Sequence, residues 1–171
     1  MSPESDKTRI IKSILRENWG YSEFREGQEQ TILSVIDGKD TLAVLPTGTG
    51  KSVCYQVPGL YFDKLTIVIS PLIALMEDQV RGLKARGIPA LALTSAHSRH
   101  QQDILMDNIV YGNYNFFFIS PERIRSSLFR SRIIKTDPGL IVIDEAHCIS
   151  EWGHDFRPEY RQISELRELL P

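Results

Sequence analysis

The 171-residue chain is 42% hydrophobic and 25% charged, an ordinary globular composition that excludes a disordered or low-complexity segment. Its formal net charge of −2, from 20 basic and 22 acidic residues, gives no bulk sign of nucleic-acid binding, so any such role must rest on local placement. The two cysteines, Cys54 and Cys148, lie far apart in no C-x-x-C pair, which excludes a disulfide framework or cysteine zinc site and points to a reducing, intracellular location.

In chain order, a first helix is expected over 6–18, with Ile10, Ile11, Ile14 and Leu15 as its apolar stripe and Gly20 beyond its end. Further helices are expected near 26–37, 51–60, 72–86, 98–110 and 121–130, and another from Pro158, a residue favoured in a first helical turn. Between them lie five β-rich runs: "TLAVL" (41–45), "LTIVIS" (65–70), "ALALT" (90–94), "FFFIS" (116–120) and "LIVID" (140–144). Most are apolar at consecutive positions, the pattern of strands covered on both faces. The alternation predicts one three-layer α/β domain with a mostly parallel central sheet. No apolar run approaches the ~20 residues of a membrane-spanning helix, and "MSPESDKTR" at the start is no signal peptide, so no membrane role is expected.

The stretch "TLAVLPTGTGKS" (41–52) reads as strand, glycine-containing turn and helix start. A phosphate needs backbone N–H groups pointing inward with no side chain in the way, which Gly48 and Gly50 permit, and the positive end of the following helix adds attraction. Lys51 is placed to reach the β- and γ-phosphates, and Ser52 to ligate Mg²⁺. The strict pattern G-x-x-x-x-G-K-[ST] is not met, because Leu45 stands at its first glycine. Asp144 and Glu145 end the last apolar run, at the sheet edge where ligands of open α/β folds bind. Asp144 is the candidate to hold magnesium through its water shell, and Glu145 to orient and deprotonate an attacking water. Together the two motifs predict a P-loop NTPase hydrolysing a magnesium nucleotide.

"DEAH" (144–147) behind "PTGTGKS" (46–52) resembles superfamily 2 helicases, whose phosphate loop tolerates a non-glycine at the place of Leu45. "ISEWGHDFRPEY" (149–160) resembles the aromatic-rich loop of RecQ-family DNA helicases, and "WGYSEFREGQEQTI" (19–32) that family's adenine motif, with Trp19 and Glu26 where Phe and Pro are frequent. "VISPLIALMEDQV" (68–80) and "ISPERI" (119–124) are similar to its DNA-contact motifs. The resemblance, covering roughly residues 10 to 170, implies the first RecA-like lobe of an ATP-dependent, 3′-to-5′ DNA helicase, with the adenine motif within about 6–37. It implies ATP and Mg²⁺ held by Thr47, Gly48, Thr49, Gly50, Lys51 and Ser52. By the same resemblance Gln28 reads the adenine edge, Tyr21 stacks on it, Arg25 lies near the nucleotide, and His147 links the hydrolytic site to DNA. The implied partners are single-stranded and partly duplex DNA and a second RecA-like lobe. The location follows as cytoplasm or nucleoid in a bacterium, or nucleus in a eukaryote.

Exposed aromatic rings stack on unpaired bases without sequence preference for about 1–3 kcal/mol each. This suits Trp152 and Phe156, beside His154 and with Arg157 meeting a phosphate or carboxylate; the competing reading packs Trp152, Phe156 and Tyr160 as core beneath a helix. The acid-free run "RIRSSLFRSRIIK" (123–135) is either the flank of a DNA path or a solvated helix face. Because the chain stops at Pro171, the second lobe and its arginine finger are expected to lie outside it. A non-catalytic nucleotide- or DNA-binding module is the rival reading, and the joint presence of Lys51, Ser52, Asp144 and Glu145 weighs against it.

Overall fold

The computed structural model describes residues 3–46, 48–150 and 157–170, with side chains from residue 6 onward. The chain divides into two units, Met1–Lys64 and Leu65–Pro171.

The first unit is helical. Helices α1 (Pro3–Trp19), α2 (Gln28–Ile36) and α3 (Val53–Phe62) pool their apolar stripes, so that Ile11 and Leu15 of α1, Ile32 and Ile36 of α2, and Val53 and Val57 of α3 form one buried cluster. Gly20, at φ 74°, ends α1 as expected, its N–H closing on the Arg16 carbonyl at 3.0 Å. Cys54 is buried on α3, and burial pushes its thiol up to about 11, which makes it unreactive as a nucleophile.

The second unit is built on a four-stranded, all-parallel sheet in the order β2-β3-β1-β4, where β1 is Thr66–Ile69, β2 Ala90–Leu93, β3 Phe116–Ile119 and β4 Leu140–Ile143. Helices α4 (Ile73–Lys84), α5 (Arg99–Tyr111), α6 (Ser127–Ile133) and α7 (Glu165–Leu169) make up the rest, with 3₁₀ turns at Pro121–Arg125, Ala146–Ile149 and Pro158–Ser164. The two interior strands are buried at every position, which is why they read as unbroken apolar runs; β4, at an edge, is only partly covered. One sheet face, carrying Ile67, Ile69, Phe117 and Ile119, shares a core with Met106 and Ile109 of α5, Phe129 and Ile133 of α6, and Tyr160, Ile163 and Leu166. Phe117 stacks on Phe129 at 6.5 Å between ring centroids and so joins sheet to helix. The opposite face, with Val68, Phe116 and Phe118, is buried too, and α4 packs on β2 and β3.

Three expected elements come out differently. Residues 41–46 form no strand, and Leu42 and Val44 are 80% and 84% exposed. A β-prone run is a strand only where a neighbouring edge supplies its hydrogen-bond ladder, and no strand of the sheet pairs with this one. The helix expected at 121–130 is a 3₁₀ turn and then α6, divided at Ser126, whose hydroxyl accepts from Phe129 N–H to cap α6. The segment opened by Pro158 is 3₁₀ before it becomes α7. Among the described residues no helix is long and apolar enough to cross a membrane.

Candidate functional site

The phosphate-loop residues lie in the first unit. Gly48 and Gly50 have φ of 77° and 78°, a left-handed conformation that side-chain-bearing residues rarely adopt. They lead the chain into α3, where Val53 N–H donates to Gly50 O at 3.1 Å and Gln56 N–H to Ser52 O at 2.9 Å. Lys51 is exposed, and Ser52 heads α3 with its hydroxyl unused as a cap. Glycine turns that run into a helix N-terminus make an anion cradle. Thr47 lies outside the described residues. The unusual Leu45 is accommodated from elsewhere: a Cβ on Gly27 would come within 2.8 Å of its Cδ2.

Arg25 and Gln28 brace this loop. Gln28 is 3% exposed at the start of α2, and its Oε1 accepts from Arg25 N–H at 2.9 Å. Its Nε2 donates to the carbonyls of Thr49 at 2.9 Å and Gly50 at 3.1 Å, while Arg25 Nη1 donates to Gly48 O at 2.9 Å. The adenine-motif residues therefore hold the phosphate loop by its carbonyls, leaving its N–H groups to an anion. Gln28 thus has both amide hydrogens committed to the loop, a brace without a signal in the sequence because its acceptors are backbone carbonyls. Tyr21 is 55% exposed.

The carboxylates lie in the second unit, at the C-terminal end of β4. Asp144 N–H continues the sheet register by donating to Ile69 O at 2.9 Å. Glu145 then turns left-handed, at φ 50° and ψ 45°, and the Ala146–Ile149 turn follows. That conformation costs a non-glycine residue roughly 1–2 kcal/mol and persists where surrounding contacts fix it. Glu145 N–H donates to Asp144 Oδ1 at 3.0 Å, Ser70 Oγ lies 3.5 Å from Asp144 Oδ2, and His147 Nδ1 lies 3.2 Å from Glu145 Oε2. Within its own unit each of Ser52 and Asp144 presents a hard oxygen, a hydroxyl in one and a carboxylate in the other, of the kind that Mg²⁺ takes as ligand.

Trp152, His154 and Phe156 lie outside the described residues, but the C-terminal foot of their segment is described. Arg157 N–H donates to Cys148 O at 2.9 Å, and its Nη1 to Pro71 O at 3.0 Å, so this guanidinium meets a backbone carbonyl of the β1–α4 turn. Tyr160 takes the core alternative: it is 2% exposed, with its hydroxyl donating to Asp144 O at 2.9 Å. Burial pushes its phenol well above the ordinary value, so the group stays a neutral donor. The signal for this was the i, i+3, i+6 apolar spacing of Tyr160, Ile163 and Leu166 behind Pro158.

The basic run 123–135 is paired in part with acids. Arg130 pairs with Glu165 at 2.7 Å, Arg132 with Asp107, and Arg125 lies 3.7 Å from Glu165. Arg123 donates to Gln102 Oε1 at 3.2 Å and to Thr94 O at 3.4 Å. Acids on α5 and α7 thus take up part of the run's charge.

The family model described as DEAD/DEAH box helicase matches residues 25–171. Over 159 residues the chain is 47% identical to the ATP-dependent DNA helicase RecQ of Haemophilus influenzae, covering 93% of this chain and 26% of that protein. It is 45% identical over 161 residues to the probable ATP-dependent DNA helicase RecS of Bacillus subtilis, covering 94% of this chain and 32% of that protein. The chain thus spans well under half the length of both relatives. In backbone it resembles the DUF1998 helicase MrfA, solved bound to DNA and AMPPNP, with a TM-score of 0.65 at 22% identity over 86% of this chain and 22% of that one. That likeness is one of fold.

Proposed function

Since the chain belongs to the DEAD/DEAH box helicase family, we propose that it is the ATP-binding lobe of a RecQ-type DNA helicase, the whole of residues 1–171 forming that lobe. The lobe hydrolyses ATP with Mg²⁺ and couples turnover to single-stranded DNA and to 3′-to-5′ unwinding of partly duplex DNA, together with a second RecA-like lobe, inside the cell. The observation that carries this reading is the phosphate loop, in which Gly48 and Gly50 turn left-handed into α3 behind a brace from Arg25 and Gln28. The likeness to the RecQ and RecS helicases supports DNA as the polymer.

In this reading the backbone N–H groups of the 48–52 loop and the Lys51 ammonium take the β- and γ-phosphates, while Ser52 and Asp144 hold the metal. Mg²⁺, when bound, neutralises developing charge on the phosphates. Glu145 receives a proton from the attacking water, and His147, beside its carboxylate, relays its state towards DNA. Trp152 and Phe156 stack on unpaired bases, with His154 and Arg157 alongside. The test is ATP turnover titrated with single-stranded DNA in a protein carrying both lobes; no turnover under any condition would contradict the reading.

For adenine recognition, Gln28 must exchange a loop carbonyl for the base, because its Nε2 is already engaged. Gln28→Ala in the two-lobe protein is expected to raise the KM for ATP by roughly 5- to 150-fold, the equivalent of about 1–3 kcal/mol, and that for GTP by less. Steady-state kinetics with the two nucleotides checks this. Equal losses would make Gln28 a brace of the loop alone.

A further inference from the structure

The Asp144–Glu145 peptide is fixed at both of its polar atoms. Its carbonyl accepts the Tyr160 hydroxyl at 2.9 Å, and its N–H donates to Asp144 Oδ1 at 3.0 Å. This is the peptide that sets Glu145 at φ 50°. If it rotated into the right-handed basin, the carboxylates on either side would be redirected together. Nothing in the glutamate itself favours the left-handed state, so the restraint must come from its surroundings. Tyr160 is suited to supply it, since its ring is held in the core with Cys148, Ile163 and Leu166 and its hydroxyl therefore comes from a set position.

We propose that Tyr160 is a positioning residue for hydrolysis, its hydroxyl locking the Asp144–Glu145 peptide so that Glu145 faces the attacking water. The inference rests on the reading of Glu145 given above. Tyr160 N–H also closes on Arg157 O at 3.0 Å, and Arg157 is itself tied to Cys148 O and Pro71 O, so the hydroxyl is presented from a fixed stretch of backbone.

The test is Tyr160→Phe in the two-lobe protein, which removes one hydroxyl and keeps the ring. The kcat for ATP hydrolysis is expected to fall about tenfold or more, with the KM for ATP unchanged, because a misaimed base costs rate rather than binding. Replacement of Tyr160 by 4-aminophenylalanine, which restores an N–H donor on the same ring, should recover kcat. A tyrosine that only fills the core would lower the melting temperature and leave kcat of the folded protein intact, and that result overturns the proposal. Glu145→Gln, measured alongside, separates the two possible failures. If it abolishes turnover while Tyr160→Phe keeps full kcat, positioning alone is wrong. If Glu145→Gln still turns over, the role of Glu145 is wrong and the positioning proposal falls with it. Combined with Glu145→Gln, Tyr160→Phe should cost nothing further, since both act on one step.

Discussion

On its own, the 171-residue chain is expected to hydrolyse ATP about 10³–10⁵-fold more slowly than a protein that carries a second RecA-like lobe. An arginine finger stabilises the charge that spreads over the transferred phosphoryl group, and its contribution amounts to roughly 4–7 kcal/mol of barrier. Several of the described arginines are already engaged within the chain. Arg25 donates to the Gly48 carbonyl and Arg157 to the Pro71 carbonyl, Arg130 and Arg132 pair with Glu165 and Asp107, and Arg123 bonds Gln102 and Thr94. Nucleotide binding should survive better than turnover, because the cradle of Gly48, Gly50, Lys51 and Ser52 belongs to this chain. Single-turnover hydrolysis with and without the second lobe gives the comparison; equal rates would show that the chain supplies its own finger.

Glu145→Gln in the two-lobe protein is expected to lower kcat by about 10²–10⁴-fold while nucleotide affinity stays near wild type. The change keeps the shape of the side chain and can keep its contact with His147, but it removes the proton acceptor. The bond from Glu145 N–H to Asp144 Oδ1 and the bond from Tyr160 to Asp144 O involve no atom of the altered side chain, so the left-handed turn should be retained. Binding of a non-hydrolysable ATP analogue, set beside turnover, checks both halves of the expectation. Retained turnover would move the general base elsewhere.

The sheet was legible in the sequence where burial is complete. "LTIVIS" and "FFFIS" are apolar at consecutive positions because β1 and β3 are interior strands covered on both faces, and both were found to within a residue or two. "TLAVL" carries the same signal yet forms no strand, since β-propensity cannot indicate whether a partner edge is present. The glycines of the phosphate loop were legible because a left-handed turn before a helix asks for that residue type. The contacts of Gln28 and Tyr160 were not. Each depends on a backbone carbonyl brought close by the fold, at Thr49 and Gly50 for one and at Asp144 for the other, and carbonyls leave no mark on sequence. The sequence left the run 123–135 open between a DNA flank and a solvated helix face for a related reason: the acids that pair with Arg130 and Arg132, Glu165 and Asp107, lie on other helices.

ATP turnover of the two-lobe protein, titrated with single-stranded DNA and compared between wild type and Trp152→Ala, tests the coupling of this lobe to DNA most directly. Wild-type turnover is expected to rise saturably with DNA. Trp152→Ala is expected to keep near-normal basal turnover and melting temperature, with a maximal stimulation that stays low even at saturating DNA. A ring that served only as a stacking platform would lose about 1–3 kcal/mol of DNA affinity and recover full stimulation at saturation. A core tryptophan would instead cost about 3–5 kcal/mol of stability. Wild-type turnover indifferent to DNA would show that this lobe is not coupled to DNA.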